Sequence, residues 1–475
     1  MDLRSPSRTR ASVASPAWIR PRLAPALFLL ALYATTTLPW LIVVPPFDSP
    51  DEIAHYDYGR YIARTGHLPD RVPTSLEMDG WFTSHWPQPA LYYQALSRLI
   101  LAAGAADSPV KPLIAGDPAT RTVRGPSARF IVFFEPPGSN VARAMYHGRL
   151  LSWSFGAIAA LGLFAALGAI DASPRTRVLV VSLVLLVPGV AAHITAVNND
   201  ALAAMTAALG AAWILRASAG GRCDARVWLV AGLLVGVAQL SKATTSLLIP
   251  MALTAIIGAT PVWRDRVRLA LVFAAGVVLC LAGVWIRQWI VFGDPFASAL
   301  AASPARFHPV PPTWTLMHRD LYAGVTEKLF EGFFAQFGWS ESMPRSVVVW
   351  RLYRVVSWIA LALMAVAAFV VAGRARGAST AVRVARVCGV GLVAHLAALF
   401  YINSIFLAPS GRHLLPALAP LLVLACIGAR VVDAALERRG LTWIATLAPV
   451  ALLFAMAAAW VTVLAELVMG FRFGG

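Results

Sequence analysis

About eleven stretches of this chain are apolar, nearly free of charge and long enough to cross a bilayer core. They lie near 23–44, 147–170, 178–197, 199–215, 226–241, 245–263, 269–290, 348–372, 387–407, 413–430 and 441–465. The few charges inside them, such as Arg149, Arg351 and Arg354, fall near their ends. A water-soluble fold could not hide so much apolar surface: 59% of the residues are hydrophobic and 13% charged, with a mean hydropathy of +0.69. The chain therefore reads as an all-α integral membrane protein, a bundle of about eleven transmembrane helices.

Its formal charge of +17, from 40 basic and 23 acidic residues, could suggest a nucleic-acid partner. The placement of the arginines excludes that reading. Arg175 and Arg177, then Arg216, Arg222 and Arg226, then Arg264, Arg266 and Arg268 sit in short loops between alternate apolar runs. So do Arg374, Arg376, Arg383 and Arg386, and finally Arg430, Arg438 and Arg439. That is the positive-inside pattern, and it puts these loops in the cytoplasm together with the N-terminal arginines. Residues 1–22 are then a cytoplasmic tail, and 23–475 form one transmembrane domain whose C-terminus lies outside. The first apolar run is too long for a signal-peptide core and lacks a small-residue cleavage site, so it reads as an uncleaved span. The domain carries two long outer loops, 45–146 and 292–346. The four cysteines, Cys223, Cys280, Cys388 and Cys426, have neither disulfide nor metal spacing.

Charge reappears abruptly after the first span. Residues 48–64 hold four acids, one His, three Tyr and two Arg. On a helix, Asp51, Glu52, His55 and Tyr56 share one face. A carboxylate pair at a membrane surface is suited to taking a proton from an acceptor hydroxyl. The same stretch also reads as a helix start, with Ser49 as N-cap, Pro50 at N1 and Glu52 closing a capping box. Both readings can hold at once for a capped helix that carries a catalytic acid.

Further along the first outer loop, Trp81 to Pro89 is aromatic and proline-rich, suited to interface anchoring, and Gln88 to Ile100 begins a helical apolar stripe. Residues 105–140 read as irregular loop. In the second outer loop Leu321, Val325, Leu329, Phe333 and Phe337 give an amphipathic helix over 320–339, expected to lie on the membrane or on the first loop. Polar groups recur at the outer ends of spans: Asn198-Asn199-Asp200, Ser241-Lys242 and Ser410-Gly411-Arg412-His413. Lys242 and Arg412 break the charge rule, and Arg287 sits at another outer end. Ionisable groups at such depth are costly, so each is a functional candidate, with interfacial snorkelling as the alternative. Cations there could hold a lipid phosphate.

The ordered set of motifs resembles the DUF2142-type membrane proteins, relatives of the GT-C glycosyltransferases that include protein O-mannosyltransferases and aminoarabinose transferases. The resemblance rests on Pro50-Asp51-Glu52-Ile53-Ala54-His55-Tyr56, Trp86-Pro87-Gln88-Pro89-Ala90-Leu91-Tyr92-Tyr93, Val197 to Leu202, Ser241-Lys242, Phe337-Gly338-Trp339 and Gly411 to Pro416. It covers nearly the whole chain. Two departures stand out: Ala90 replaces the second proline of the family's Pro-Pro-Leu-Tyr-Tyr element, and His413 stands where Tyr is common. The resemblance implies a GT-C-like bundle with two helices in the first outer loop lying along the membrane. It implies an enzyme of a bacterial cytoplasmic membrane that transfers a sugar, with inversion, from a polyprenyl-phosphate donor to an envelope glycan or lipid acceptor. Asp51 and Glu52 are the expected catalytic pair. His55, Tyr56, Tyr92, Asn199, Asp200, Lys242, Arg287, Arg412 and His413 are the expected substrate contacts, and no metal or cofactor is called for. The rival expectation is a lipid or glycan transporter, or a non-catalytic part of envelope assembly.

Overall fold

The computed structural model describes residues 23–47, 49, 51–70, 88–108, 138–295, 313–335, 344, 346–373, 379–405 and 409–473. The N-terminal tail, the segment Trp81–Pro87, most of the loop 105–140 and the motif Phe337-Gly338-Trp339 lie outside them. Every regular element among the described residues is helical. Eight helices are long and apolar enough to cross a membrane, and a ninth span results if one bent pair counts as a unit. All of these fall on the apolar runs read from the sequence.

Helix α1 (Leu23–Val43) leads into the outer loop, where α2 (Glu52–Thr65) and α3 (Leu91–Ala102) pack on each other. Helix α4 (Asn140–Ala166) starts at Ser139, whose side chain accepts from the Ala142 N–H at 3.0 Å, and ends in a 3₁₀ turn, Leu167–Ile170. The next run is broken into α5 (Pro174–Leu185) and α6 (Pro188–Thr195), which meet at 76°. Pro188 explains the break: it cannot donate to the preceding turn, and it drives Val187 out of helical backbone, to φ −85° and ψ 113°.

Helices α7 (Asp200–Ala219) and α8 (Ala225–Ser241) follow, then a 3₁₀ turn, Ala243–Leu247, and α9 (Leu248–Ala259). Helix α10 (Trp263–Phe292) packs on α8 through Gly232 and Gly276. A Cβ on Gly232 would stand 2.1 Å from the Phe273 carbonyl oxygen, so the two backbones touch as small residues allow in lipid. The second outer loop contributes α11 (Arg319–Phe334). Helices α12 (Val347–Gly373) and α13 (Thr380–Ile405), a 3₁₀ turn at Gly411–Ala417, α14 (Leu418–Arg438) and α15 (Thr442–Phe473) complete the chain. Helix α7 is central: 78% of its apolar window is buried, against 6% for α12, which faces outward.

The bundle has two unlike ends. At one, Arg177, Arg216, Arg383 and Arg430 donate to the carbonyls of Ala172, Ala165, Ala219 and Ile170, close to the C-terminal ends of α4 and α7. Cations are favourable there, where helix carbonyls lack partners. The acids and bases singled out from the outer loops gather at the other end.

The amphipathic helix of the second outer loop is present as α11, and its stripe of Leu321, Val325 and Leu329 is buried. Its resting place differs from expectation. It packs on α6, α13 and the Gly411–Ala417 turn rather than on the first outer loop. The apolar side chain of Leu399 from α13 completes the cluster under it.

Candidate functional site

The site is assembled where the outer ends of α1, α7, α8 and α13 meet the start of α2. Asp51 is the N-cap of α2 and takes the left-handed conformation, with φ 60°. Asp tolerates that region better than most residues. Its carboxylate Oδ2 accepts from Arg412 Nη2. The same guanidinium lies 3.8 Å from Asp200 Oδ2 through its Nε. Asp200 in turn accepts from Lys242 Nζ at 2.5 Å through Oδ1. Four residues separated by long stretches of chain thus form one line of alternating charge: Asp51, Arg412, Asp200, Lys242. Arg412 Nε and Nη1 are buried and have no hydrogen-bond partner among the described residues. Each therefore keeps a donor for an incoming oxygen.

Glu52 lies apart from this line. It is fully buried, and its carboxylate takes Arg149 Nε at 2.9 Å and Arg149 Nη2 at 2.7 Å. The backbone N–H groups of Phe47 and Val197, each at 2.9 Å, complete the set. Arg149 spends its remaining donors on the Val44 and Pro45 carbonyls, at 2.5 and 2.8 Å. This node ties the end of α1, the start of α2, the body of α4 and the α6–α7 link together. The expected capping box does not form. Helix α2 begins at Glu52 rather than Ser49, so the Glu52 side chain reaches back past the turn to Phe47. Both oxygens of Glu52 are thus committed to these partners. Arg149 was not singled out beforehand, although an arginine inside an apolar run is the kind of costly residue that marks a site.

The remaining expected residues divide. Tyr56 is fully buried edge-on to Phe47, with ring centroids 5.3 Å apart. Tyr92 is fully buried too, its hydroxyl 2.8 Å from Ser152 Oγ. Tyr56 thus packs α2 on the turn that precedes it, and Tyr92 ties α3 to α4. His55 is buried against Tyr93, with Nδ1 at 2.7 Å from the phenol oxygen. Burial pushes the Tyr92 and Tyr93 phenols above their ordinary range, so both keep their protons. Arg287 donates to the Pro69 carbonyl, just beyond α2, and lies over the Phe292 ring. Asn199 donates to Gln88 Oε1 at 2.8 Å and to the Ser241 carbonyl at 3.0 Å. The His413 carbonyl lies 2.8 Å from His395 Nε2, which fixes the turn that carries Arg412. Gln88 and Tyr93 join the site without having been expected there as contacts; the helix stripe that contains them was the available signal.

Residues 143–288 match the family model described as Dolichyl-phosphate-mannose-protein mannosyltransferase. The matched stretch runs from α4 to α10 and contains Arg149, Asp200 and Lys242. No curated protein matches the chain by sequence. Among solved structures, the apo form of the Archaeoglobus fulgidus oligosaccharyltransferase aligns with a TM-score of 0.54 at 12% identity, over 94% of this chain and 56% of that one. The oligosaccharyltransferase AglB from the same organism, in complex with an inhibitory peptide and a dolichol-phosphate, gives 0.52 at 12%, again over 94% and 56%. ArnT from Cupriavidus metallidurans bound to undecaprenyl phosphate gives 0.48 at 13%, over 94% and 76%. The chain thus spans little more than half the length of the oligosaccharyltransferase. The fold is GT-C-like, that of a multi-pass membrane protein. The matched model is the mannosyltransferase one; the DUF2142-type likeness is one of motifs alone.

Proposed function

We propose that this protein transfers a sugar from a polyprenyl-phosphate donor to a hydroxyl of an envelope glycan or lipid on the outer face of the membrane, with inversion at the anomeric carbon. The observation that carries this reading is the line Asp51, Arg412, Asp200, Lys242 at the end of the bundle away from the arginine-capped one. A transferase of this kind needs a carboxylate base beside fixed cations for a leaving phosphate, and those are the groups in line here. Transporters more often place such groups near the bilayer midplane.

In the proposed reaction the acceptor O–H gives its proton to Asp51 as its oxygen attacks the anomeric carbon. The new C–O bond forms on the face opposite the breaking bond to phosphate. Polyprenyl phosphate leaves with the bonding electrons. Its charge is met by Lys242 and by the Nε and Nη1 donors of Arg412. Fixed cations in a site that excludes water stabilise such developing charge strongly. Asp200 holds the two cations at their spacing. Glu52, through Arg149, holds the backbone that carries Asp51.

The test uses the purified full-length protein in nanodiscs with a panel of undecaprenyl-phosphate-linked sugars and membrane-lipid and glycan acceptors. Release of undecaprenyl phosphate coupled to glycosylated product is expected for at least one sugar. Binding of these donors without release of undecaprenyl phosphate, across the panel, would overturn the enzymatic reading in favour of transport.

A further inference from the structure

The reading above leaves the sugar without a partner, and the hydrogen bonds around Gln88 supply one. Gln88 sits just ahead of α3, half-buried, between the loop helices and α7. Its Oε1 accepts from the Tyr93 hydroxyl at 3.0 Å and from Asn199 Nδ2 at 2.8 Å. Which atom of the amide faces these partners is decided by a backbone group. The Ser241 carbonyl can only accept, so the Asn199 atom 3.0 Å from it is the NH2 nitrogen. The atom of Gln88 that meets this nitrogen must then be oxygen. Tyr93 has one proton, and it goes to that oxygen. His55 Nδ1, at 2.7 Å from the phenol, must therefore carry a proton and donate it to Tyr93. Each bond from His55 through Tyr93, Gln88 and Asn199 to Ser241 thus has a fixed donor, with Tyr93 and Asn199 both donating to Gln88, and the amides have no freedom to flip.

One group at the centre of this set is unspent. With both lone pairs of Oε1 used, Gln88 has its NH2 left, and no described residue accepts from it. The side chain is held from two sides, so that NH2 is a fixed donor at a partly open position. It is also close to the proposed reaction. Asn199 precedes Asp200, which holds Lys242 and faces Arg412, and both Asp200 and Arg412 act electrostatically on Tyr93. The phosphate already has two cations there. A neutral NH2 fits an uncharged oxygen that carries lone pairs. We propose that Gln88 binds a hydroxyl oxygen of the donor sugar through its side-chain NH2, with His55, Tyr93 and Asn199 acting as positioning residues. This assignment rests on the glycosyl-transfer reading.

The experiment compares the full-length wild type with Gln88→Met and Gln88→Glu in nanodiscs. Gln88→Met keeps the length and removes the donor together with the Oε1 acceptor. Gln88→Glu keeps both accepted hydrogen bonds and replaces the NH2 by oxygen. Two probes are used: bare undecaprenyl phosphate, and the undecaprenyl-phosphate sugar that the wild type turns over. The KM for the sugar donor is expected to rise about 5- to 10-fold in both variants, the factor one neutral hydrogen bond supplies. Affinity for bare undecaprenyl phosphate and KM for the acceptor are expected to stay within about 2-fold, since neither involves the lost bond. An unchanged donor KM overturns the assignment. So does an equal weakening of both lipid probes, which would mark a phosphate contact, or a rise confined to the acceptor KM. Failure of both variants to fold would overturn it too, because it would make Gln88 a structural node. If the wild type transfers no sugar at all, the glycosyl-transfer reading itself fails, and that result is separate from any difference between variants.

Discussion

Asp51 and Glu52 are adjacent in sequence, yet one is partly open and the other sealed. Asp51 keeps 30% of its side-chain surface exposed beside Arg412, whereas Glu52 is fully enclosed by Arg149 and two backbone N–H groups. Substituting each for its amide therefore has opposite consequences. Asp51→Asn retains a residue that tolerates the left-handed backbone and gives up one partly exposed ion pair, about 1 kcal/mol or less. It removes the proposed base, so turnover falls about 10²- to 10⁴-fold. Glu52→Gln leaves a buried guanidinium uncompensated and costs about 3–5 kcal/mol. Thermal melts of the purified variants beside the transfer assay check the pair: a stable, inactive Asp51→Asn and a clearly destabilised Glu52→Gln are expected. A fully active Asp51→Asn would remove Asp51 from the chemistry. Asp57 would be a poor substitute, since its carboxylate is bound to Arg60 Nε at 3.0 Å on the same helix. That Asp51 stands out at the start of the first outer loop is visible in the sequence, because its position just past the first span needs no distant partner to be noticed; its ion pair with Arg412, 361 residues away, is not. The role of Glu52 is not visible either, because a capping box is a local pattern and Arg149 lies 97 residues away.

At the scale of elements, α11 packs directly on the turn that carries Arg412. Its C-terminal turn is seated on two glycines. A Cβ on Gly411 would fall 1.8 Å from the Phe333 nitrogen, and one on Gly189 would fall 2.3 Å from the Phe333 oxygen. His193 Nε2 lies 3.2 Å from the Gly332 carbonyl and completes the seat. Gly411 immediately precedes Arg412, so the position of α11 and the position of the guanidinium are one geometric problem. Gly411→Ala is expected to push α11 off the turn, at a cost of about 1–3 kcal/mol for forced overpacking. Affinity for undecaprenyl phosphate should fall with it, while Gly258→Ala, where a Cβ meets nothing within 4 Å, should change neither stability nor binding. Ligand binding and melting temperature measured on both variants test this; an unaffected Gly411→Ala would uncouple the helix from the site. The periodic stripe made α11 itself legible. Its docking was not, because nothing local in the sequence indicates that two glycines in separate elements leave room for a backbone from a third.

For the molecule as a whole, the apolar runs carried most of the architecture, and they misled only where length fails as a guide. Helix α8 spans Ala225–Ser241 and α9 Leu248–Ala259, both shorter than an ordinary span, and the α5–α6 run is bent at Pro188. Yet the site constrains the path through them. Asp51 follows α1, Asp200 opens α7, Lys242 closes α8 and Arg412 follows α13, and all four meet in one line of ion pairs. Those four chain positions must then lie on one side of the membrane. The positive-inside rule then predicts that the arginines bound to the helix carbonyls at the other end of the bundle lie on the cytoplasmic side. On that prediction the chain from Arg412 would cross inward through α14 and outward through α15. A reporter fused after Gly475 is therefore expected to read outside, and one inserted near Gly377, between α12 and α13, to read the cytoplasm. If both read the reverse, the protein is inverted and Asp51 faces the cytoplasm, which would end the outer-face reading of the reaction. If both read the same side, one apolar run after Gly377 does not cross. The ion-pair line joins Arg412 to Asp51 and so fixes α13, which leaves α14 or α15 as the helix lying along the membrane.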